Sequence, residues 1–119
     1  MNHAERALAN HRQAMAAEHP DGPDREWRIT MHFYAAVHAV THVTFAGAHA
    51  PPDYRHEQRR QDMGAHPRLR PVGRFYALLE ALATTARYRP SAHPMTESQE
   101  RSARLWSTEI LKRADLETP

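Results

Sequence analysis

The groups best able to move a proton and to hold a negative charge crowd into one stretch, Tyr54-Arg55-His56-Glu57-Gln58-Arg59-Arg60, followed closely by His66, Arg68 and Arg70. Imidazole exchanges protons near neutral pH, and guanidinium offers a planar fork of donors that stays charged. Together they suit a site that grips an oxyanion such as phosphate and transfers a proton beside it. His56 lies three residues before Arg59 and so shares its helical face. Arg55, Arg68 and Arg70 extend the positive surface, and Tyr54 could stack on a base. Residues 53–89 carry eight Arg against four acidic residues, whereas residues 1–52 and 90–119 each carry four basic and five acidic ones. The positive charge is therefore central, where a polyanion could be met. The bland alternative is that His56, Arg59 and Arg60 form a solvated helix face and that His66 merely precedes Pro67 in a turn.

A second constellation is His38, His42 and His49. Two His at i and i+4 can share a metal. Here the chain has no cysteine and no evident nearby carboxylate ligand, and Gly47 should end the helix before His49. His38 is better read as a buried, hydrogen-bonded histidine, with His42 close to it or at a subunit contact. No metal ligand is assigned and no cofactor is expected, although a metal or haem protein built on this histidine-rich segment stays as the last-ranked alternative. Trp27, Tyr34, Phe75, Tyr76 and Trp106 recur at helical spacing and read as core. Tyr54 and Tyr88 sit at element ends in the basic region and are the aromatics best placed to touch a nucleic acid.

The elements that must position these groups are all helical. Ala4, Leu8, His11 and Met15 mark one stripe of a first helix over 3–17, ended by His19-Pro20-Asp21-Gly22-Pro23. Asp24 can cap a second over 25–46, with Ile29, Phe33, Ala36, Val37, Val40 and Val43 inward. Gly47 and Pro51-Pro52 break the chain, and Asp53 can cap a short third helix over 54–63 that stops at Gly64. A fourth, over 69–87, carries Leu69, Val72, Phe75, Tyr76, Leu79, Leu82, Ala83 and Ala86, tolerates Pro71 only in its first turn, and should pack on the second. Thr96-Glu97-Ser98-Gln99 has capping-box spacing and opens a fifth that carries Ala103, Trp106 and Ile110 to about 115. Alternating strand patterns and Asn-Gly or Asp-Gly turns are missing. The expectation is one all-α domain over 1–119, a five-helix up-and-down bundle.

Composition agrees. At 119 residues, 40% hydrophobic and 25% charged, the chain has the make-up of one globular domain. Its most apolar stretch, 27–48, is interrupted by Arg28, His32, His38 and His42, so it reads as a core helix and no membrane partner is expected. With no basic start, no short apolar leader and no cysteine, a cytoplasmic location is expected. Fifteen of the sixteen basic residues are Arg, a bias that GC-rich coding also produces, so location says more than abundance.

Three pieces of the chain form a pattern: Trp27 followed by Phe33-Tyr34-Ala35-Ala36-Val37-His38, then His56-Glu57-Gln58-Arg59, then Phe75-Tyr76 leading to Ala86-Arg87-Tyr88. In this order, over about residues 25–90, they resemble a branch of the HEPN superfamily of small helical nucleic-acid-associated proteins. The resemblance implies a bundle that pairs with a second copy through its central helices and works on RNA or beside a nucleotidyltransferase or antitoxin partner. Many members are metal-independent ribonucleases of toxin or defence systems, with four to six residues between an Arg and a following His and a small polar residue after the Arg. Six residues lie between Arg59 and His66 and five between Arg60 and His66, but Arg60 and Gln61 occupy the place of the small polar residue. The same spacing occurs at Arg6 and His11, Arg12 and His19, Arg25 and His32, and Arg87 and His93, so only location favours the central pair. In that reading His66, with His56 as second candidate, transfers the proton while Arg59 or Arg60 clamps phosphate. A ribonuclease, a silent RNA binder and a non-catalytic dimerising module all remain open.

Overall fold

A computed structural model describes residues 2–16, 23–46, 48, 50–88 and 94–116. Five α-helices make up the described chain: α1 (His3–Ala16), α2 (Pro23–Thr44), α3 (His56–Ala65), α4 (Gly73–Tyr88) and α5 (Glu97–Arg113), with a 3-10 turn at Arg70–Val72 leading into α4. No strand occurs among the described residues, and the structure is an all-α bundle. No described helix is long and apolar enough to cross a membrane.

The helix ends follow local chemistry, sometimes differently from expectation. At α5 the Thr96 hydroxyl accepts from the Gln99 N–H at 3.1 Å while the Gln99 side chain accepts from the Thr96 N–H at 2.8 Å, the reciprocal cap that the spacing predicts. At α3 the cap is Arg55 and not Asp53, with Gln58 Oε1 accepting the Arg55 N–H at 2.9 Å. Gly64 does not end α3. The helix runs through it and stops where His66 turns extended (φ −97, ψ 117), the conformation that the following Pro67 favours. Pro71 falls in the 3-10 turn, so α4 itself begins at Gly73. The expected breaks at Pro20-Asp21-Gly22 and at Gly47, and His49 beside it, lie outside the described residues.

Helix α2 is the centre, packing against α1, α4 and α5. Ile29, Phe33, Ala36 and Val40 on α2 meet Tyr76, Leu79 and Ala83 of α4 and Ala103, Ile110 and Leu111 of α5 in one core cluster. Helix α1 packs on α2 through Ala7, His11 and Ala14; of the expected Ala4–Leu8–His11–Met15 stripe His11 is buried, while Met15 is 37% exposed, so the buried face is rotated towards Ala7 and Ala14. Small residues there let the two backbones approach closely. Two aromatics read as core are not core: Trp27 is 59% exposed and Tyr34 38%. At about 100° per residue they share a face turned about 130° from Ile29 and Phe33.

Charged groups are also interior. Arg28 is 1% exposed and hydrogen-bonds both oxygens of Glu100, from its Nε and, at 2.9 Å, from Nη2; Arg25 reaches Glu100 Oε1 at 3.2 Å. This ties α2 to α5 and holds the Glu100 carboxyl below its usual range. Beside it, His11 of α1 and His32 of α2 meet edge-on, their ring centroids 5.9 Å apart. Burial lowers His32 to about 4, with His11, Arg104 and Arg28 adding to the effect and Glu100 opposing it. Burial and Arg12 lower His11.

The unfolded chain takes up protons on these rings near 6.5, whereas His32 in the folded protein resists until about 4. Between those values the folded state binds fewer protons, so stability falls as pH falls. The urea midpoint of unfolding should therefore be lower near pH 5 than near pH 7, and His32→Leu should shrink the difference. Equal midpoints for the wild type at both pH values would contradict this account.

Candidate functional site

The short helix α3 turns Arg59 inward, towards α2 and α4. Arg59 is 7% exposed. Its Nε donates to Thr41 Oγ1 of α2 at 3.3 Å, its Nη1 to Tyr76 Oη of α4 at 3.4 Å and to His56 Nδ1 at 2.9 Å. Its guanidinium carbon stands 4.9 Å from the centre of the Tyr54 ring, a cation–π contact. Every one of these partners is uncharged in this arrangement. Among the described residues no carboxylate lies within ion-pair distance of Arg59. The solvated-face alternative is thus excluded for this residue.

The proton arrangement of His56 follows from Arg59. A guanidinium only donates, so Nδ1 of His56 accepts, the ring is neutral, and its proton sits on Nε2. The same Nδ1 is 3.3 Å from Tyr76 Oη and 3.6 Å from Glu80 Oε2. Burial, then Arg59, lowers the His56 pKa, with Glu80 opposing and Arg87 and Arg60 adding. The His56 side chain is 47% exposed, so this is the edge of the cluster that a ligand can reach. In this geometry His56 offers an oxyanion an N–H rather than a free lone pair. To act as a base it must first release Nδ1 from Arg59. Burial also raises Tyr76 to about 12, so its hydroxyl stays neutral beside Arg59. Tyr54 is raised too, by burial and then by Asp62, whose Oδ2 accepts its hydroxyl at 2.5 Å.

The other sequence candidates are distributed around this centre. Arg60 is exposed and hydrogen-bonds Glu80. Arg55 is exposed at the start of α3. His66 lies beyond the far end of the helix, where its Nδ1 accepts the Arg68 N–H at 3.2 Å. Seven residues of helix separate it from Arg59 by about 10 Å, and no hydrogen bond joins it to Arg59 or Arg60. Arg68 donates to the Arg113 carbonyl at 2.6 Å and pairs with Asp115, and Arg70 donates to the Gly64 carbonyl at 3.1 Å, so they tie the turn before α4 to the ends of α5 and α3. His38 is half-buried, its Nδ1 2.9 Å from His3 Nδ1 with the rings stacked at 5.2 Å. Burial, then His3, lowers it to about 4, and Arg59 contributes across the α2–α3 contact. His42 Nδ1 is buried without a hydrogen-bond partner. Among the described residues no group of three or more His, Cys, Asp or Glu could hold a metal ion.

Sequence reasoning missed Thr41 and Glu80, and read Tyr76 only as core. Glu80 had a signal, being the lone acid of α4, one turn after Tyr76. Arg28 and Glu100 had none, because nothing in their spacing links residues 72 positions apart.

Comparisons with protein-family models, with curated proteins and with solved structures give no match for this chain.

The geometry makes a local prediction. In an NMR titration His56 should protonate below 6.5, and Arg59→Gln should raise its midpoint by removing the adjacent cation. A His56 midpoint above 6.5 in the wild type would contradict the hydrogen-bonded arrangement.

Proposed function

We propose that the protein is a HEPN-like, RNA-directed protein whose phosphate-binding centre is Arg59 with His56, flanked by Arg60 and Arg55. The observation that carries this reading is the interior guanidinium of Arg59, in direct contact with neutral groups and, among the described residues, with no carboxylate within ion-pair distance. A cation taken out of water without an anion is costly, and an external phosphate oxygen would supply what the interior does not. The half-exposed His56 N–H and the exposed Arg60 and Arg55 give the oxyanion a path of donors to it. The net positive segment 53–89 favours the same polyanion. Of the two RNA-directed forms, binding fits the arrangement directly, while cleavage requires the His56 ring to turn. Pairing of two copies, and a nucleotidyltransferase or antitoxin partner, belong to this reading through the resemblance and the expected cytoplasmic setting.

A second reading is favoured by one observation, the bonds of Arg59 to both α2 and α4. In it Arg59 is an interior tie and the chain is a non-catalytic module that docks other proteins.

The two readings part in one experiment. Wild type and Arg59→Ala are titrated with RNA over a salt series and incubated with it in chelator. The RNA-directed reading expects Arg59→Ala to weaken binding about tenfold and to lower the slope of log affinity against log salt by about one. Loss of any chelator-resistant cleavage in the variant would identify the enzyme form. Binding and cleavage unchanged across the series would reject the reading.

A further inference from the structure

Two large aromatic side chains are exposed where no packing explains them. Trp27, near the start of α2, is 59% exposed and Tyr88, at the end of α4, is 78% exposed. They flank an open cavity of about 500 Å³ that Glu26, Thr30, Ala86 and Arg87 also line. We infer that this groove takes one unpaired base of a single RNA strand, stacked on Trp27 and Tyr88, with the adjoining phosphate at Arg87. The inference rests on the RNA-directed reading above and names the form of RNA it requires.

Three observations select this occupant. The first is shape: the cavity is ample for a base, and flat aromatic rings at its rim are surfaces on which any base can stack. The second is charge. Arg87 is exposed, and its guanidinium carbon lies 5.8 Å from the Tyr88 ring centre and 5.9 Å from that of Phe33. No hydrogen bond or ion pair to a described carboxylate engages it. Glu26 also lines the groove; its Oε1 accepts the Met95 N–H at 2.8 Å and its Oε2 is buried without a hydrogen-bond partner. A lining with one carboxylate and one guanidinium admits an uncharged base and holds its phosphate at Arg87. The third is continuity. The Phe33 ring beneath Arg87 is 5.3 Å from the His56 ring, and Arg87 helps to lower the His56 pKa. One strand can therefore place a base in the groove and a neighbouring phosphate at His56 and Arg59. A duplex cannot, since its bases are already stacked and paired.

The test is fluorescence anisotropy with the full chain and a labelled oligoribonucleotide of about ten nucleotides, single-stranded and annealed to its complement. Wild type, Trp27→Ala, Trp27→Phe and Tyr88→Ala are compared, with circular dichroism to confirm that these surface changes leave the helices intact. Each alanine variant should lose about tenfold in affinity for the single strand. Trp27→Phe should keep most of it, and duplex affinity should not change. If the alanine variants bind the single strand as wild type does, while Arg59→Ala does not, the groove is not a base site and the Arg59 reading stands. If they change only the mass seen by light scattering, the groove is an interface between copies and the inference is overturned. If the wild type binds no RNA, both readings fail together.

Discussion

A guanidinium removed from water must recover its lost hydration from whatever surrounds it, and Arg59 is in that position. Thr41 comes from α2, Tyr76 from α4, His56 from α3 itself, and the Tyr54 ring from the segment before it. Three helices and a loop are thus arranged around one charge. Burial and then Arg59 keep His56 neutral, whereas the high pKa of Tyr76 comes from burial and is opposed by Arg59.

Helix α2 carries a second interior cation that is treated differently. Arg28 is met by both oxygens of Glu100, with Arg25 joining from one turn earlier, so its charge is cancelled within the fold. A buried pair of that kind specifies how α5 sits on α2. Arg59 has hydrogen-bond partners around it and, among the described residues, no carboxylate within ion-pair distance. In the reading proposed above, that contrast between two interior arginines separates a structural charge from one kept for a ligand. The histidine contacts between α1 and α2 follow a third pattern, staying neutral and packing like small aromatics.

Much of the fold was legible because helical periodicity, proline, glycine and capping residues act locally. The Thr96 and Gln99 cap, the central place of α2 and its packing on α4 follow from patterns within a few residues. What was not legible depends on neighbours far along the chain. The face of α1 could not be chosen, since Ala7 and Ala14 look no more apolar than Leu8 and Met15 until α2 is laid against them. Trp27 and Tyr34 read as core because bulk alone does not say which side of a helix remains uncovered. At the site, the spacing of His56 and Arg59 on one helical turn was readable and the two side chains do meet. The inward turn of Arg59 was not, because it is set by Thr41 and Tyr76, 18 and 17 residues away.

The claim on which the account turns is that Arg59 is kept inside the protein for an anion that comes from outside. Arg59→Met tests it most directly, since methionine fills similar space without charge or donors. Unfolding free energy and RNA affinity should be measured on the same preparation. The account predicts stability within about 1 kcal/mol of wild type, or higher, because an unneutralised interior charge has been removed, together with at least about a tenfold loss of RNA affinity. A loss of about 3 kcal/mol or more with RNA affinity unchanged would show that the charge serves the fold alone and would contradict the account.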